Sequence, residues 1–173
     1  MKLIGLANSN TLKLVNYTIS LFENKHSEVI NLVEFKNVTN PVISKLKNVK
    51  FLIIVLENYA DLNTINDFRT TNINVFKNTS ILLLFTTDHL DMLATAKNQF
   101  TTYGATILDT FYLPSYLINF NPIEGITDIK LSLELIRKVN TIKQNNFNNY
   151  FKKRISTCGI DNTDFENCDA SSY

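Results

Sequence analysis

The chain has 173 residues, a formal net charge of +1 and 45% hydrophobic residues. That length suits one domain with a real core, and the near-neutral charge offers no basic face for steering toward nucleic acid or an acidic membrane. The short run Lys152-Lys153-Arg154 reads as a solvated helix end.

The opening Met1 to Ala7 is too short for the apolar region of a signal peptide. The longest apolar runs, Phe51 to Leu56 and Ile81 to Phe85, fall far below the roughly 18 residues of a membrane span. A soluble, cytoplasmic protein is therefore expected. Cys158 and Cys168 both lie in the polar C-terminal segment, where free thiols in a reducing compartment are the default and a disulfide the alternative. His26 and His89 do not complete a zinc spacing with them.

In chain order, Lys2 to Ala7 predicts a short buried strand closed by the turn-prone Asn8-Ser9-Asn10. Leu12, Val15, Ile19 and Phe22 follow at helical spacing. Ser27 to Leu32 predicts a second strand, and Asn40-Pro41 breaks the chain before a short helix through Leu46. Phe51 to Leu56 is apolar without alternation, as in a strand covered on both faces, and Ile81 to Phe85 repeats the signature. Between them, Asp61 to Val75 predicts a helix of poor apolar periodicity. Leu90, Leu93, Ala96, Phe100 and Tyr103 form another helical stripe, stopped by Gly104. Thr106 to Phe111 supplies a fifth strand, and Leu131, Leu135, Val139 and Ile142 mark a last helix running toward Asn145. Strands alternating with helices argue for βαβ units: a doubly wound, five-stranded parallel sheet with helices on both faces. Residues 1–155 are expected to form that domain, and 156–173 a polar tail.

In an open sheet of this kind ligands bind beyond the carboxyl ends of the strands. Those ends are Asn8 to Thr11, Glu57 to Asn63 and Thr86 to Met92. The first precedes a helix, where free N–H groups and the helix dipole favour a phosphate; Ser9, Asn10 and Thr11 add donors, and Asn16 can point back from the first turns. The same residue types are the preferred helix N-caps without any ligand, so both readings stand. Tyr59 reads as a ring-stacking residue or an exposed loop tyrosine, and His89 as an acid–base group or an exposed helix start. Glu57 reads as a functional carboxylate or a cap of the following helix.

The stretch Ile4-Gly5-Leu6-Ala7-Asn8-Ser9-Asn10-Thr11-Leu12-Lys13-Leu14-Val15-Asn16 resembles the opening of NAD(P)H-dependent FMN reductases, a strand followed by Gly-Ser, a short polar loop and Ser-x-Asn. Ser9 and Asn16 match; Asn8 stands for the glycine and Leu14 for the second serine. Leu113-Pro114-Ser115-Tyr116, Asn119-Phe120 and Glu124-Gly125-Ile126 resemble a run after the last strand in one branch of that family, as do Val75-Phe76-Lys77-Asn78 and Ala96-Lys97-Asn98. The resemblance implies a flavodoxin-like fold, FMN as cofactor, NAD(P)H as co-substrate, a flavin or quinone acceptor, and a homo-oligomer. It implies phosphate contacts from Ser9, Asn10, Thr11 and Asn16, and ring contacts from Glu57, Asn58, Tyr59, Thr86 and Thr87.

The chain also departs from the pattern. Its four glycines, Gly5, Gly104, Gly125 and Gly159, all lie outside the three loops. A loop that hugs a ligand with its backbone usually needs a positive φ, which Asn8 and Asn58 can supply in part. Asp88 and Asp91 add negative charge beside the expected ring. The chain thus resembles a divergent member of that family with eroded flavin loops, and two further readings stand beside the reductase. One is a non-catalytic flavodoxin-like paralogue acting as an interaction or assembly subunit. The other is a phosphate- or nucleotide-binding module without redox chemistry.

Overall fold

The computed structural model describes residues 2–36, 40–87, 89–114 and 129–157. The chain runs β1 (Leu3–Ala7), α1 (Leu12–Leu21), β2 (Ser27–Asn31), α2 (Val33–Lys36), α3 (Asn40–Leu46), β3 (Phe51–Leu56), α4 (Tyr59–Thr71), β4 (Ser80–Phe85), α5 (Leu90–Thr102), β5 (Thr106–Tyr112) and α6 (Ile129–Thr157). The five strands form one sheet in the order β2-β1-β3-β4-β5, every neighbouring pair parallel. That order is the flavodoxin-like one, with its topological switch point between β1 and β3. The expected doubly wound, five-stranded α/β sheet is the observed one.

Burial explains why β3 and β4 read as unbroken apolar runs. Alternate side chains enter two separate cores, one on each face of the sheet. Ile4, Leu6, Leu52, Ile54, Leu56, Ile81 and Leu83 pack beneath α2 to α5, against residues such as Leu62, Ile65, Phe68, Met92 and Phe100. Leu3, Ala7, Ile53, Val55, Leu82, Leu84 and Phe111 pack beneath α1 and α6, against Leu14, Val15, Leu135 and Val139. Gly5 has a packing duty in the centre of β1: a Cβ there would lie 2.5 Å from Val15 Cγ2 and 2.7 Å from Ile19 Cδ1. The missing side chain lets α1 press directly onto the strand.

Several expectations shift in detail. The helix after β3 starts at Tyr59 and ends at Thr71, short of Val75, and its N-cap Asn58 accepts the Asp61 N–H. In α5 the buried stripe is Met92, Ala96 and Phe100, whereas Leu90 is 72% exposed. The four-residue α2 is too short to leave a periodic signal; it is held by Phe35, which stacks on Phe68 of α4 at 4.4 Å between centroids. The final strand reaches one residue further, to Tyr112. Among the described residues, no helix is long and apolar enough to cross a membrane. The segment 115–128, with most of the second reductase-like run, and the tail with Cys158 and Cys168 lie outside the described residues.

Candidate functional site

The register sets the carboxyl ends of β1, β3 and β4 side by side. Leu6 pairs with Ile54, and Leu56 pairs with Phe85, so Asn8, Glu57 and Thr86 emerge along one edge. Four backbone bonds tie that edge to its neighbours: Leu32 N–H to Ala7 O, Thr86 N–H to Leu56 O, Leu113 N–H to Phe85 O, and Asp61 N–H to Asn58 O.

Asn8 organises the first corner. Its Oδ1 accepts from the Asn10 N–H at 2.9 Å, the Thr11 N–H at 3.0 Å and the Thr11 hydroxyl at 3.0 Å. Its Nδ2 donates to Glu57 Oε2 at 3.0 Å and to both Asp61 carboxylate oxygens at 3.1 and 3.0 Å. One amide side chain thus ties the β1 loop to the β3 loop and to the first turn of α4. Asn10 Nδ2 makes a longer contact, 3.4 Å, to Glu57 Oε1. Ser9 accepts from Asn31 Nδ2 at 3.0 Å. The N-cap residue of α1, Thr11, makes no side-chain capping bond, and Asn8 does the corresponding work three residues upstream.

Asp61 is 6% exposed. It accepts the Glu57 N–H at 2.8 Å in addition to the Asn8 amide. Burial pushes its carboxyl above the usual carboxylate range, an effect the Glu57 charge adds to and the bonds from Glu57 N–H, Asn8 and Asn58 oppose. A cavity of about 140 Å³ beside this corner is lined by Asn8, Ser9, Asn31, Lys36, Asp61 and Thr64 among others.

The β4 end differs. Thr86 is 6% exposed, and its hydroxyl is one of two buried side-chain polar atoms without a hydrogen-bond partner among the described residues. Thr87 Oγ1 accepts the His89 N–H at 3.2 Å. Tyr59 is 41% exposed at the start of α4, and its hydroxyl donates to Asp91 Oδ2 at 2.6 Å, bridging to the start of α5. That bond raises the Tyr59 hydroxyl above its ordinary range and lowers the Asp91 carboxyl.

Of the residues singled out from the sequence, Ser9, Asn10, Thr11, Glu57 and Asn58 converge on the corner that Asn8 and Asp61 build. Tyr59, Thr86 and Thr87 occupy the β3–β4 side of the same edge. Asn16 is exposed on the second turn of α1, outside that network. Glu57 takes the Asn8 bond, and the capping of α4 falls to Asn58. Neither Asn8 nor Asn58 uses a left-handed conformation; Asn58 is extended, at φ −155°. Among the described residues, the positive-φ positions other than glycine are Glu23, Asn48 and Asn78, all away from this edge. His89 is the exposed N-cap residue of α5 and makes no side-chain capping bond. Asp88 lies outside the described residues. Asn8 and Asp61 are the site residues that sequence reasoning missed.

FMN would meet two unlike environments here. The loop after β1 does not fit a phosphate dianion as it stands, because Asn10 and Thr11 already direct their N–H groups onto Asn8 and two carboxylates lie just beyond. The end of β4 fits a hydrogen-bonding ring edge, since Thr86 keeps a buried hydroxyl to offer. Among the described residues, no group of three or more His, Cys, Asp or Glu side chains is placed to hold a metal ion.

No family model matches the chain, and no curated protein matches it. Among solved structures it is similar to the solution structure of two-electron reduced flavodoxin from Megasphaera elsdenii. The two share 12% identity at a TM-score of 0.49, over 79% of this chain and 97% of that one.

Proposed function

We propose that this protein is a flavin-binding redox protein of the NAD(P)H-dependent FMN reductase kind, with its ligand seated across the carboxyl ends of β1, β3 and β4. The observation that carries the reading is the buried, unpartnered hydroxyl of Thr86, at the end of β4, one strand away from the switch point. Buried polar groups without partners are uncommon in folded proteins, and a bound ring edge bearing carbonyl oxygens and nitrogens would give this one a partner. A flavin supplies the redox chemistry when bound, taking a hydride from NAD(P)H and passing electrons to a flavin or quinone acceptor.

The chain's own residues would hold and shape the ligand. Thr86 would hydrogen-bond the ring edge, with Thr87 and Asn58 beside it. Tyr59, anchored through its hydroxyl to Asp91, would present its ring along the flavin. Ser9, Asn10 and Glu57 would meet the polyol chain. The homo-oligomer that the family resemblance implies belongs to the same proposal, and light scattering on the full chain checks it.

The test is a titration of the purified chain with riboflavin and with FMN, following flavin fluorescence. Saturable binding of either in the micromolar range, weakened in Thr86→Val, supports the reading. Binding of neither at about a hundred micromolar overturns it and favours the non-catalytic interaction subunit.

A further inference from the structure

Resting on that reading, we infer that the loop after β1 selects against phosphate and that the site takes a flavin whose ribityl chain ends in a free hydroxyl. Three observations carry this. The first is geometric. The N–H groups of Asn10 and Thr11 and the hydroxyl of Thr11 all converge on a single acceptor, Asn8 Oδ1, at 2.9 to 3.0 Å. A side-chain carbonyl occupies the place at which an anion would collect donors ahead of a helix. A phosphate could enter only by breaking a closed set of bonds.

The second is electrostatic. The other end of the same Asn8 amide is held by Glu57 and Asp61, within 3.1 Å. An anion drawn to the loop would sit one amide group away from two carboxylates, in a partly buried setting where like charges repel strongly. Lys36 is the cation on the wall of the adjoining cavity, and it shares that wall with Asp61.

The third is the balance of donors and acceptors. Glu57 holds Asn8 through one oxygen, while its other oxygen has only the 3.4 Å contact from Asn10. The corner therefore has acceptors in want of donors. A phosphate dianion can only accept, whereas each hydroxyl of a polyol can donate. The chemistry of the corner matches the uncharged chain and opposes its phosphorylated form.

The experiment compares riboflavin and FMN on the full chain at matched ionic strength, by quenching of flavin fluorescence. Riboflavin is expected to bind about tenfold more tightly or better, with the gap shrinking as salt rises. Glu57→Gln is expected to tighten FMN more than riboflavin, with circular dichroism confirming the fold. The wild-type ratio stands as the test even if that variant folds poorly. FMN binding as tightly as riboflavin or more so overturns the inference while leaving the flavin reading intact. If neither flavin binds, the flavin reading fails and the inference falls with it.

Discussion

Two ends of neighbouring parallel strands treat their polar groups in opposite ways. At the β1–β3 corner, the Asn8 side chain links four residues, Asn10, Thr11, Glu57 and Asp61, into a closed network. At the end of β4, Thr86 buries a hydroxyl and joins it to nothing among the described residues. A polar group that is fully partnered inside the protein stabilises the fold and has little left for a ligand; one that is buried and unpartnered costs stability until something binds. The same carboxyl edge therefore contains a structural end and a receptive end.

That contrast can be broken by mutation, and the largest effect is expected at Asn8. Asn8→Ala takes the acceptor from the Asn10 N–H, leaves the Thr11 N–H only the Asn8 carbonyl, and removes the amide that bridges Glu57 and Asp61, so urea denaturation should show a loss of about 2 kcal/mol. Asn8→Gly should cost a similar amount, yet it frees the Asn10 N–H and should narrow the riboflavin-to-FMN affinity ratio. Thr86→Val has the opposite sign. It replaces an unpartnered hydroxyl with a methyl of similar shape, so stability should rise by up to about 1 kcal/mol while flavin binding weakens. A loss of stability in Thr86→Val would show that the hydroxyl is already satisfied and would remove the contrast.

Asp61 sharpens the comparison through pH. Its folded carboxyl is raised by burial, so the favourable contribution of this group is fully present below the unfolded carboxylate range. It is lost as pH rises through the raised folded value. Relative to Asp61→Asn, the wild type should therefore gain stability on acidification from about pH 7 toward about pH 4, measured by urea denaturation at each pH. The smallest effect is expected at Asp91→Asn, which should let the raised Tyr59 ionisation fall back toward its ordinary range in an NMR titration.

The sheet was legible because β3 and β4 are buried on both faces, which leaves a continuous apolar word in the sequence. The helices were legible wherever their buried stripe was long enough, and α2 was not, since it makes only one turn around Phe35. Leu90 misled because the first residue of a helix can point to solvent whatever its hydropathy, while Met92 turned inward. The loop residues could be picked out by position at strand ends. Their bonding could not, because Asn8 meets partners 49 and 53 positions away, and only the sheet's strand order makes them neighbours. The scarcity of loop glycine was visible, but its physical correlate, a corner closed by a side-chain amide without any positive φ, was not.

The register between β4 and β5 slips by one residue between Ile81 and Leu82: Ile81 faces Ile107, and Leu82 faces Asp109. Leu108 is the extra residue, and beyond it Thr110 pairs with Leu83 and Phe111 with Leu84. The slip works like a reading frame for side-chain parity. Because of it Phe111 joins the α1–α6 core and Asp109 meets Lys138 of α6 at 3.1 Å. Deleting Leu108 would remove the bulge and leave Asp109 opposite Leu82 and Phe111 opposite Leu84, whereas pairing β5 without the slip would set Asp109 opposite Leu83 and turn it toward the α4–α5 core. The extra residue is absorbed at one point of β5, and every side chain beyond it keeps the face that its β4 partner dictates.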